Sequence, residues 1–121
     1  MKTQLINKND MAYIECQTED GDLLDSEAKI LDLIGLCGEA GIHCLMVDEE
    51  VLPDGFFDLH TGLAGIILQK LVNYSVKTAF VISEKRIGSG RFYEMTIESN
   101  RGKQFHFGRE REKAEKWLLE E

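Results

Sequence analysis

Cysteine is scarce in this chain and never paired in the sequence. Cys16, Cys37 and Cys44 form neither a C-x-x-C nor an even framework. That excludes a disulfide scaffold and reads as three small buried groups in a reducing cytosol. Positive charge is also in short supply, with a net charge of −8. A phosphate backbone demands clustered Lys and Arg, so nucleic acid is excluded as a partner and anionic membrane surfaces are disfavoured. No apolar run reaches the ~18 residues of a membrane helix, and no basic-then-apolar segment opens the chain, so neither a membrane span nor a signal peptide is expected. Proline occurs once, as Pro53, in an expected loop. There is no internal repeat and no low-complexity tract. What remains is a chain of 121 residues, 43% hydrophobic and 30% charged. That is the profile of one folded cytoplasmic domain, residues 1–121, rather than of a disordered segment.

The stretch around which the rest is organised is F-F-D-L-H-T-G-L-A-G-I-I-L-Q-K-L-V-N-Y, Phe56–Tyr74. Leu63, Ile67 and Leu71 form one i, i+4 row, and Ala64, Leu68 and Val72 the next. A helix so apolar on most sides is expected to lie covered on a sheet. Asp58 and Thr61 are the candidate N-caps. Gly62 and Gly65 weaken the helix by about 1 kcal/mol each relative to Ala. Close approach of a neighbour at Gly65 is the expected compensation.

Taken in order, Gln4–Asn7 and Met11–Cys16 read as a hairpin around Lys8-Asn9-Asp10. A helix capped by Asp25 or Ser26 runs to about Glu39, with Gly38 and Gly41 marking its end. Ile42–Val47 and Val76–Ser83 are continuous apolar runs of the kind found in buried strands. Val51–Gly55 is a loop, with one helical turn at Pro53–Phe57, and Glu84–Gly90 is a polar, mobile loop. Arg91–Arg101 is a helix with Gly102 at its C′ position. Lys103–Phe107 alternates as a strand, and Glu110–Glu121 is a charged amphipathic helix. The fold class is therefore α/β, with order ββαβαβαβα and a mixed, mostly parallel sheet. Functional groups in such sheets gather at the carboxyl ends of the strands. That edge should bring Asp48, Thr61, Ser83–Arg91 and Gly108 together.

Phe56–Tyr74, followed by I-E-S-N-R-G at Ile97–Gly102, resembles a bacterial domain-of-unknown-function family, number four-one-eight-zero, over essentially the whole chain. The T-G-L-A-G-I-I-L block also resembles the start of the second helix in STAS domains, the anti-sigma-factor antagonists. The resemblance implies a STAS-like single domain. Matching Gly62-Leu63 to the family's Gly-Leu pair puts Thr61 at the hydroxyl that a partner kinase phosphorylates. The helix dipole and free amides there favour an added anion.

The leading expectation is a non-enzymatic regulatory or protein-interaction module, switched at Thr61. Its candidate site is Asp58, His60, Thr61, Gly62, Ser83 and Arg91, with Asn100 and Arg101 on an interaction surface. The alternative is a small-molecule or anion-binding domain on the same strand edge. A hydrolase using His60 as base and Thr61 as nucleophile is third, because no G-x-S-x-G elbow is present. Gly88-x-Gly90 lacks the third glycine of a dinucleotide loop, and His43, Cys44, His60 and His106 lack paired ligand spacing. Neither a cofactor nor a metal is expected. The expected partner is a protein, and a second copy of the chain is a candidate for it because one strand edge is spare.

Overall fold

The computed structural model describes residues 1–120. Its hairpin is set by two residues. Asn9 and Asp10 both take positive φ, 52° and 65°, the pattern of a two-residue type I′ turn. The turn joins β1 (Lys2–Lys8) to β2 (Met11–Gln17) in antiparallel register, Lys8 opposite Met11 and Lys2 opposite Gln17. α1 (Glu27–Ala40) follows. Its first turn is capped by the Ser26 hydroxyl, which accepts from the Lys29 amide, and its last by Gly41 at φ 70°. Gly38 lies within the helix rather than at its end. β3 (Cys44–Asp48), α2 (Leu63–Asn73), β4 (Lys77–Val81), α3 (Glu84–Ile87), α4 (Arg91–Asn100), β5 (Phe105–Gly108) and α5 (Arg111–Leu118) complete the chain. Glu121, placed by its sequence in the last helix, lies outside the described residues.

The five strands stand in sequential order, β2 to β5 all parallel and β1 antiparallel at one edge. Each crossover advances one strand in the same direction. A constant hand then puts every crossover helix on the same face. Accordingly Ile30, Leu33 and Cys37 of α1, Ile67 and Leu71 of α2, and Phe92 of α4 share one core with Ile14, Leu45, Val47 and Phe80 of the sheet. α5 has no strand after it and covers the opposite face, where Ala114 and Leu118 meet Tyr13, Met46 and Ala79. Two-sided cover explains why successive residues Leu45, Met46 and Val47 are all buried. His106, on the less apolar side of β5, stacks on Trp117 with ring centroids 5.3 Å apart. Burial there pushes its imidazole below the usual range.

Four expectations about the central helix and its neighbours need correction. α2 starts at Leu63, and the preceding residues form 3-10 turns at Glu49–Val51, Asp54–Phe57 and Leu59–Thr61. Gly65 makes no close approach: a Cβ built on it would meet nothing within 4 Å. Nor is α2 covered on most sides, for Ile66 and Val72 are 42% and 46% exposed. Packing on the sheet requires only one stripe of a helix, so the remaining aliphatic side chains stay in solvent. At α4, Gly102 does not take the left-handed φ expected of a C′ glycine.

Candidate functional site

The chain between β3 and α2 forms the rim at the carboxyl end of the sheet, and an aromatic anchor fixes it there. Phe56 is fully buried. Its ring lies 5.6 Å from Phe80 of β4 and 5.7 Å from Phe92 of α4. Phe57 meets Phe92 at 5.0 Å, and Phe80 stacks on Phe107 at 4.7 Å. With Phe105 beside Phe80, all six phenylalanines of the chain join into one cluster beneath the rim.

A charged clamp closes above the rings. Arg86, in α3, donates to the carbonyls of Glu49 (2.6 Å) and Leu52 (2.9 Å). Its guanidinium lies 4.2 Å over the Phe57 ring, a favourable cation–π placement. The Glu49 carboxylate accepts from both the amide and the hydroxyl of Ser83, at 3.1 and 3.2 Å. The segment Glu84–Ile87 is thereby held as a helical turn, where a mobile loop was expected. Glu49, Phe56, Phe57 and Arg86 are the rim's structural residues; Phe56 and Phe57 open the stretch singled out in the sequence, whereas no short-range motif marks Glu49 or Arg86.

Thr61 fastens the loop to itself. Its hydroxyl lies 2.6 Å from the Gly55 carbonyl and 2.9 Å from that of Asp58, and it accepts from the Leu63 amide at 3.2 Å. Asp58 caps the last 3-10 turn through the His60 amide (3.0 Å), and the His60 ring lies 3.3 Å from the same carboxylate. Gly62 takes φ 78°, which a β-carbon would strain. Asp58 and His60 then share a shallow groove of about 310 Å³ with Ile87–Phe92, Arg91 included. Asp58, His60, Thr61, Ser83 and Arg91 therefore do occupy one rim. Thr61 and Ser83 are engaged in structural hydrogen bonds, while His60 and Arg91 are exposed.

Asn100 and Arg101 lie elsewhere. The Asn100 carboxamide accepts from the Phe107 amide (2.7 Å) and donates to its carbonyl (3.0 Å). It thus serves as a one-residue mock strand on the outer edge of β5. Arg101 pairs on the surface with Glu98.

On the α5 face, a second polar cluster escaped the sequence reading. Glu15 is only 6% exposed and receives the Arg111 Nε at 2.7 Å. Arg111 also donates to the Tyr13 hydroxyl at 3.0 Å, and that hydroxyl donates to Glu115. Desolvation and the Glu115 carboxylate push the Tyr13 phenol well above its usual range. The one signal in the sequence was Glu15 inside an apolar strand, which requires a cation on the facing element. This cluster pins α5 to the sheet. Among the described residues, no three His, Cys, Asp or Glu side chains are grouped to hold a metal ion, and no helix is long and apolar enough to cross a membrane.

These features define an α/β protein with a one-sided parallel winding and an anchored rim. The family described as "Domain of unknown function (DUF4180)" matches residues 8–118, and the chain belongs to that family. No curated protein and no solved structure matches it.

Proposed function

We propose that this chain is a cytoplasmic, STAS-like, non-enzymatic regulatory module that binds a protein partner through the rim formed by Asp58–Gly62 and Gly88–Arg91. One observation carries the reading. The rim is an open groove whose inner polar groups, Thr61, Ser83 and Arg86, are already bonded within the chain, while His60 and Arg91 stand exposed at its edge for contact with a surface. Catalysis asks for convergent groups with free valences aimed at one reacting atom, whereas docking asks for a rigid, exposed edge. The strand–helix order and the Thr61-Gly62-Leu63 match support the STAS-like part.

Thr61 supplies the switch. Thr61 is exposed, yet its hydroxyl holds residues 55–61 together as a donor. Phosphorylation replaces that donor with a dianion facing the Gly55 and Asp58 carbonyls, so the clasp must open. The alternative, an anion-binding domain on the same edge, has in its favour the start of α4 at Gly90, which carries no side-chain cap beside Arg91.

Photo-crosslinkers at His60 and Ser89, with a control at Glu39 at the other end of the sheet, test the reading in cognate lysate with and without ATP. A protein captured at both rim positions and not at Glu39, and lost from the Thr61→Glu variant, is expected. Capture of nothing at the rim, together with an unmodified Thr61, defeats it. Shifts of the Ser89–Phe92 amides on adding inorganic phosphate alone favour the anion reading.

A further inference from the structure

The two edges of the sheet are treated differently. The β5 edge is short, and Asn100 occupies both backbone groups of Phe107. The β1 edge is seven residues long, regular, and without a bulge in its register with β2. Its central residue, Leu5, is 50% exposed.

The turn determines which backbone groups face outward. A two-residue turn is flanked by a hydrogen-bonded pair, here Lys8 and Met11, and such pairs alternate along an antiparallel ladder. Lys8, Ile6, Gln4 and Lys2 therefore direct their amides and carbonyls at β2. Thr3, Leu5 and Asn7 direct theirs away from it. Leu5 thus presents both a free backbone pair and an exposed apolar side chain at the midpoint of the strand. Its side chain is on the face of α1, because its partner Ile14 belongs to that core. Helical spacing sets Leu36, itself 38% exposed, on the flank of α1 away from the groove that Leu31, Gly35 and Gly38 share with Tyr74. That flank overhangs the β1 side.

We infer that β1 is a dimer edge, on which a second copy of this chain adds its own β1 antiparallel about a two-fold axis at Leu5. The pattern is self-complementary. Leu5 faces Leu5 of the second copy as a hydrogen-bonded pair, and Thr3 faces Asn7 on either side. The two sheets become one of ten strands with all crossover helices on one face, so Leu5 and Leu36 of both copies are covered together. Charge favours this edge. In a chain of net charge −8, Lys2–Lys8 holds two lysines and no acid, so the two acidic bodies meet at a segment that itself carries no negative side chain. Lys8 is already neutralised by Glu115 at 2.6 Å, which relieves its approach to Lys2 of the other copy. The rim is left open for another partner.

Sedimentation across a concentration series tests the inference on the full chain. The wild type should sediment at twice its 13.8 kDa mass. Leu5→Lys, which sets two cations on the axis, should raise the dissociation constant by about tenfold or more. Leu5→Pro should do the same while keeping the hairpin, because the lost amide points away from β2; unchanged circular dichroism certifies the fold of each variant. Leu5→Cys should form a disulfide with its copy on mild oxidation and Lys2→Cys should not, since the two copies of position 2 lie at opposite ends. A wild-type chain that stays monomeric at about 100 µM overturns the inference. So does a dimer that folded Leu5→Lys leaves intact.

Discussion

Arg86 offers the sharpest test of how the rim is held. Replacing it with Met keeps the length of the stem and deletes the guanidinium. Two charge-assisted hydrogen bonds to backbone carbonyls disappear. Each is worth about 1.5 kcal/mol, the lower end of the charged range, because the side chain is 29% exposed. The lost placement over Phe57 adds about 0.5–1 kcal/mol. The ion pairs to Glu49 (3.7 Å) and to the fully exposed Asp54 (3.6 Å) add little. The expected loss is therefore about 3–4 kcal/mol, or on the order of 10 °C in the melting midpoint for a domain of this size. Urea and thermal unfolding followed by circular dichroism measure the total, and amide exchange locates it. Acceleration should concentrate in residues 49–61, with the Leu52 and Phe56 amides early. Arg86→Lys should recover less than half, because an ammonium cannot bond two carbonyls in a fork while lying flat on a ring. An Arg86→Met protein within about 0.5 kcal/mol of wild type, or one whose exchange rises only outside the rim, would refute the clamp.

Two further outcomes follow from named contacts. Gly65→Ala should stabilise the protein by about 0.5–1 kcal/mol in urea unfolding, since the added methyl meets nothing and α2 gains propensity; a loss of stability would show that the position is packed after all. Glu115 is held below its ordinary carboxyl value of 4.5 first by its hydrogen bond from Lys8 and then by that from Tyr13. Its contribution is complete above pH 4.5 and is lost as the pH falls through its lower folded value. The melting gap between wild type and Glu115→Gln should therefore be widest near neutrality and close with acidification, and a gap that does not change with pH would contradict the assignment.

Much of the fold was legible because its signals are local. Ser26 and Gly41 punctuate α1 as their types suggest, Asn9-Asp10 turns the hairpin, and the unbroken apolar runs around Leu45–Val47 and Thr78–Phe80 are strands buried on both faces. The rim, too, was legible as a place, since parallel strands put their following loops on one edge. What each residue does there was not. Thr61 looked like the cap of α2, yet its hydroxyl reaches back six residues to Gly55. Glu49 and Arg86 are 37 positions apart, and Glu15 and Arg111 are 96 apart. Periodicity has no term for such pairs.

The sequence by itself determined the order of the five strands and the four longer helices, the hairpin at the amino end, and a sheet buried on both sides. Those follow from propensities and hydrophobic spacing that act over a few residues. Only the tertiary structure decided that three crossovers share one face and α5 takes the other, that Phe56 pins the loop under Arg86, and that Gly65 faces solvent. Each of these depends on which distant surfaces meet once the chain has closed on itself, and burial and charge pairing are properties of that meeting rather than of any segment alone.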